Sequence, residues 1–194
     1  MFRGAITLLA TLVVLLHNGV AAQQQDDTIG VQGTGGHSCT LTYQGETFPC
    51  ALGKNGVTSN KVEGDDCTPA GSFPLRRVFY RADRVPDPNT ALLTNITQSN
   101  YGWCDDPSAP EYNTFVTLPF EPSHEELWLN GSYYDLMSVI GYNDAPPVPG
   151  LGSAIFFHVT PDYGSTSGCV ALALSDLQWV LARISTTTVM NITA

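Results

Sequence analysis

Residues 152–177 read GSAIFFHVTPDYGSTSGCVALALSDL, and the fold is decided in this stretch. Ser153–Val159 is a short run rich in Ile, Phe and Val, the composition of a strand. Gly, Pro, Ser and Asp crowd residues 161–168, which marks a loop. Beyond Gly168-Cys169 a second apolar segment leads into a helix predicted from Ser175 to about Ile184. Ser175 is placed to cap its first turn and Gln178 to complete a capping box, while Leu177, Val180, Leu181 and Ile184 fall on one stripe.

Similar strand-like runs precede this stretch: Thr40–Tyr43, Ser72–Tyr80, Asn113–Leu118 and Leu136–Tyr142, separated by Gly, Pro, Asn and Asp. The chain therefore reads as mainly β with one well-defined C-terminal helix. Ser123-His124-Glu125-Glu126 has the capping logic of a short helical turn. Ala145–Gly150, with Pro146, Pro147 and Pro149, reads as an exposed loop.

At the N-terminus, Arg3, the uncharged run Ala5–Leu16 and the small residues Val20-Ala21-Ala22 have the anatomy of a signal peptide over residues 1–22. A secreted, extracellular chain without a membrane anchor is expected. Residues 23–36 lack apolar periodicity and read as a flexible leader, 37–186 as one domain, and 187–194 as a C-terminal tail. Eight basic against eighteen acidic residues give a formal net charge of −10, which repels nucleic acid. Three glycosylation sequons begin at Asn95, Asn130 and Asn191, where surface loops are expected.

Five cysteines follow the leader segment, an odd number for an oxidising compartment. Cys39 and Cys50 are symmetric about Gln44-Gly45, so a hairpin turning there sets them opposite each other and predicts a disulfide. By elimination Cys67 pairs with Cys104, leaving Cys169 free. A thiol becomes a nucleophile when a base takes its proton, and His158 lies on the strand just upstream. Gly168 lets the backbone pass close to a substrate carbonyl, and the amides of Ser167, Gly168 and Cys169 are candidate oxyanion donors. On spacing alone the same residues also suit a buried structural Cys and a satisfied core His.

Thr166-Ser167-Gly168-Cys169-Val170, preceded by a strand-borne His, resembles the Ser-His-Gly-Cys-Ile/Val signature of L,D-transpeptidases (YkuD-like). Lys61-Val62-Glu63-Gly64-Asp65, continuing through Thr68-Pro69-Ala70-Gly71-Ser72-Phe73, is similar to that family's Lys…Gly-Asp…Thr-Pro-x-Gly-x-Phe element. Gly102–Asp106 and Gly141–Asp144 resemble further segments of one bacterial branch. The resemblance implies a YkuD-like β-sandwich and a cysteine acyltransferase, with Cys169 as nucleophile and His158 as base. Its substrate would be a peptidoglycan-type stem peptide, with an amine or water completing the reaction. Thr166 is read as a substrate contact, and Tyr142 as either a substrate contact or a packing residue. No metal or cofactor is implied, and a monomer is expected. Thr166 and Ser167 depart from the usual Ser and His, and Ala171 stands where an Arg is usual, which weakens the case for stem recognition. The alternative is a secreted binding module that keeps the fold without turnover.

Overall fold

A computed structural model describes residues 27–194; the signal-peptide reading of residues 1–22 lies outside them. The strands are β1 (Thr28–Gly35), β2 (Ser38–Tyr43), β3 (Glu46–Ala51), β4 (Val57–Thr58), β5 (Thr68–Pro69), β6 (Gly71–Tyr80) and β7 (Leu93–Ile96). There follow β8 (Tyr101–Cys104), β9 (Phe115–Thr117), β10 (His124–Glu126), β11 (Leu136–Ile140), β12 (Phe156–Val159) and β13 (Val170–Leu172). Helix α1 (Leu174–Leu181) and strand β14 (Val189–Thr193) complete the chain. The mainly β class with one helix matches the sequence pattern.

The main sheet runs β11-β12-β13-β3-β2-β1-β14-β6-β7, and a further pairing of β6 with β11 closes eight of these strands into a ring. Its interior is one apolar cluster that includes Ile29, Val31, Leu41, Leu52, Val78, Phe157, Val159 and Leu172, with Leu177, Val180 and Leu181 of α1 packed into it. Side chains alternate across a strand, so Phe156 on β12 and Met137 and Val139 on β11 face the other way. There they meet Phe79, Trp103, Leu127 and Tyr134 in a second cluster. The small sheet β10-β8-β9 contributes Trp103 to that cluster. Burial on both faces explains why β11 and β12 are mostly apolar rather than alternating, with Ser138 and His158 as their polar residues.

Several sequence expectations are corrected. The flexible leader contains strand β1, which lies between β2 and β14, so order is present well before His37. The C-terminal tail is likewise strand β14, between β1 and β6; its alternating buried Met190 and Ile192 supply the reason. Glu125 of the Ser123–Glu126 segment pairs with Trp103 as part of strand β10, so tertiary pairing overrides the capping pattern. Helix α1 is shorter than predicted, starts after Ala173 and has no side-chain cap bond; Ser175 instead donates to Asp176 within the first turn.

The hairpin of β2 and β3 sets Cys39 opposite Cys50, and the two are bridged. Cys67 and Cys104 are both free thiols, against the predicted second bridge. Cys104 is enclosed with Ala109, Val116 and Phe120, whereas the Cys67 sulfur faces the carbonyls of Asn55 and Asp65. Two of the three sequons lie on strands rather than loops. Asn95 on β7 has a buried Oδ1 without a partner, and Asn191 on β14 accepts from Ser72; Asn130 alone of the three is exposed in a loop.

Peptide mapping without reductant is expected to return Cys39–Cys50 as the only bridge. Replacing both cysteines with alanine should lower stability by about 3 kcal/mol, the chain-entropy value for so short a loop; an unchanged unfolding midpoint would contradict that role.

Candidate functional site

The parallel strands β12 and β13 pair with His158 opposite Ala171, and Cys169 is the residue just before β13. Both His158 and Cys169 line a cleft of about 440 Å3 outside the main core. Its walls include Lys61, Glu63, Gly64 and Asp66 from the segment before β5, Asp105 just after β8, Glu125 on β10, and Tyr133 and Tyr134. Residues 164–167 form its rim, with Ser165 and Ser167 exposed.

The sulfur is held by one segment. Phe156 N–H donates to Cys169 Sγ at 3.3 Å, and the thiol donates to the Ala154 carbonyl at 3.4 Å. Burial pushes the Cys169 thiol up to about 12, even though the Phe156 N–H favours the thiolate. The imidazole of His158 meets the Val159 carbonyl through Nδ1 at 2.8 Å. A carbonyl can only accept, so Nδ1 carries the proton and Nε2 is the basic nitrogen. Burial lowers His158 from the usual 6.5 to about 4, although the Val159 and Tyr133 carbonyls favour the charged ring. Tyr134 packs edge-on against that ring at 5.4 Å. Among the described residues the only hydrogen-bond partners of Cys169 Sγ are Phe156 and Ala154, and burial shifts both the thiol and the imidazole that line the cleft toward their neutral forms.

The turn before Cys169 is shaped by Gly168, whose φ is +143°; a Cβ there would lie 2.9 Å from the Cys67 carbonyl oxygen. Thr166 Oγ1 accepts the Gly168 N–H at 3.1 Å and donates to the Cys169 carbonyl at 2.8 Å. Of the three candidate oxyanion donors, Gly168 is thus already engaged. The amides of Ser167 and Cys169 have no protein acceptor among the described residues. Thr166 lines the cleft, but its hydroxyl serves as a staple of the turn. Tyr142 is not among the cleft residues: it stacks edge-on with Phe73 at 5.4 Å and donates to the Leu151 carbonyl, which is the packing alternative.

The structure also assembles residues that sequence reading did not single out as a site. Lys61 is buried and donates to Asp65 Oδ1 at 2.5 Å, which offsets its charge. Glu63 accepts from Tyr112 at 2.5 Å and from Ser153 at 2.7 Å. Glu125 is raised above the usual carboxylate range by burial. The Lys61–Phe73 resemblance pointed at the first two; Tyr112 carried no signal, and Asn113 stood out only as the first residue of a strand-like run.

Residues 38–192 match the family model of the L,D-transpeptidase catalytic domain, YkuD. No curated protein sequence matches the chain. Among solved structures, L,D-transpeptidase 1 of Mycobacterium tuberculosis is similar at 14% identity and a TM-score of 0.37, over 87% of this chain and 60% of that one. The helical cell shape determining protein Pgp2 of Campylobacter jejuni is similar at 16% identity and a TM-score of 0.39, over 86% of this chain and 46% of that one. The chain thus spans less than two thirds of the length of either.

A neutral resting pair sets the pH behaviour. Alkylation of Cys169 by iodoacetamide should rise about tenfold per pH unit from about pH 5 to 9 without a plateau, since the thiolate fraction grows that steeply below the thiol pKa. A plateau in that range would show an ion pair instead. The lowered His158 pKa means that the unfolded chain binds more protons, so stability present above about pH 6.5 should be lost as pH falls toward 4. Unfolding midpoints of His158→Gln should lack that part of the slope.

Proposed function

The chain belongs to the YkuD family of L,D-transpeptidase catalytic domains, and on that premise we propose that it is a secreted cysteine acyltransferase acting on peptidoglycan-type stem peptides. The observation that carries this reading is the shared cleft face, where Cys169, His158 and the unengaged amides of Ser167 and Cys169 stand together. The Cys39–Cys50 bridge is compatible with an extracellular location.

The chemistry follows from the resting state. Cys169 Sγ forms a bond to the carbonyl carbon of a substrate amide while its proton passes to His158 Nε2. Because both groups are neutral at rest, proton transfer and attack occur together, and the thiolate is not a standing species. Negative charge gathers on the substrate oxygen, where the Ser167 and Cys169 N–H groups can receive it. The C–N bond then breaks, His158 returns the proton to the departing amine, and a thioester remains. An acceptor amine or water attacks that thioester, giving its proton to His158, and the proton restores the thiol as the C–S bond breaks. The walls carry Glu63, Asp66, Asp105 and Glu125 against Lys61, so a substrate bearing free amines meets an acidic surface.

The neutral pair also favours the alternative, a binding module of the same fold without turnover. Mass spectrometry of the protein mixed with a stem peptide whose scissile amide follows a diamino acid separates the two. Wild type should gain the acyl mass, Cys169→Ala should not, and His158→Ala should form it about 100-fold or more slowly, the usual worth of a general base. Binding of the peptide with no acyl mass in well-folded wild type would install the binding module.

A further inference from the structure

Three consecutive residues beneath the thiol are each gripped by a different side chain. The Gly152 N–H donates to the Tyr112 hydroxyl at 3.0 Å, the Ser153 hydroxyl to Glu63 at 2.7 Å, and the Ala154 N–H to Asn113 Oδ1 at 3.1 Å. The grip of Asn113 reaches the sulfur, because Ala154 supplies the carbonyl that accepts the Cys169 S–H and Phe156, two residues on, supplies the N–H that donates to Sγ. Ala154 has φ +50°, a conformation that a non-glycine residue does not hold by its own preference.

Asn113 is 5% exposed and its amide is fully used. Oδ1 also accepts from Trp103 Nε1 at 2.9 Å, while Nδ2 donates to the carbonyls of Tyr142 at 3.1 Å and Asn143 at 2.7 Å. Two donors and two acceptors meet at one buried point, and a primary amide is the side-chain group that matches both pairs. We propose that Asn113 is a positioning residue for acyl transfer, which through Ala154 fixes the two polar groups that orient the Cys169 sulfur. The proposal rests on the acyl-transfer reading of the cleft. Its physical content is that the Phe156 N–H stays aimed at the sulfur and favours the thiolate as the proton leaves.

Two substitutions test it. Asn113→Gly removes the amide where the left-handed backbone, φ +54°, suits glycine. Asn113→Asp keeps the acceptor oxygen and, when protonated, one donor; ionised, it faces two carbonyls. Labelling by methyl methanethiosulfonate is followed at Cys169 by peptide mass, with near-ultraviolet circular dichroism as the folding control. Asn113→Gly should label about tenfold more slowly than wild type at pH 8, the effect of a thiol pKa one unit higher. A merely looser fold would expose the thiol and speed labelling. Asn113→Asp should match wild type near pH 5 and Asn113→Gly near pH 8. Acyl-enzyme formation should follow the same order, with kcat falling and KM unchanged. Wild-type or faster labelling of folded Asn113→Gly overturns the proposal. If that variant does not fold, a pH 8 to pH 5 rate ratio for Asn113→Asp equal to wild type's overturns it. Slowed labelling with no acyl-enzyme from wild type would instead remove the acyl-transfer reading and leave the effect of Asn113 on the thiol standing.

Discussion

The structure depends on the parallel pairing of β12 with β13, flanked by β11 and β3. Parallel neighbours cannot be joined by a tight hairpin, so the chain must leave β12, run back and re-enter beside it. Here the return is the loop of residues 160–169 rather than a helix. That path delivers Cys169 to the start of β13 on the face where period-two alternation has already placed Phe156 and His158. Gly168 permits the last turn of the loop, because a side chain there would meet the Cys67 backbone.

A second constraint is polar satisfaction around the cleft. Burying a thiol and an imidazole favours their uncharged forms, and both are shifted in that direction. Uncharged groups still need hydrogen-bond partners, and these are backbone groups: the Ala154 carbonyl and Phe156 N–H for the sulfur, the Val159 carbonyl for the ring. The backbone must then be held in place, which is the work of Tyr112, Glu63 and Asn113. The thiol and imidazole, the backbone and the clamp form one sequence of dependencies, each link less visible in the amino-acid sequence than the one before. The same logic explains why Thr166 faces inward: its hydroxyl ties the Gly168 N–H to the Cys169 carbonyl across the turn.

Much of the fold was legible in the sequence, and for reasons that are local. Strand runs at Thr40–Tyr43 and Ser72–Tyr80 lie within β2 and β6, and the symmetry of Cys39 and Cys50 about Gln44-Gly45 fixed a hairpin register and with it a disulfide. Hydrophobic periodicity and turn chemistry act over a few residues, so they survive without tertiary context. The pair Cys169 and His158 was legible because its motif is compact. Tertiary pairing decided what local pattern misread: residues 28–35 and 189–193 are strands because they pair with each other in parallel across the length of the chain, and residues 124–126 because β8 lies beside them. Elimination paired Cys67 with Cys104, but a disulfide needs two sulfurs in one place, and their surroundings are separate.

By itself, then, the sequence determined the β class, the helix, one hairpin with its bridge and the identity of a thiol and an imidazole near each other in the chain. Only the tertiary structure decided the burial that shifts that pair toward its neutral forms, the amides of Ser167 and Cys169 left without a protein acceptor among the described residues, and the burial of Asn113 beneath the cleft. Those properties are set by desolvation and by contacts between residues such as Asn113 and Ala154, far apart along the chain, and no short window of sequence carries either quantity.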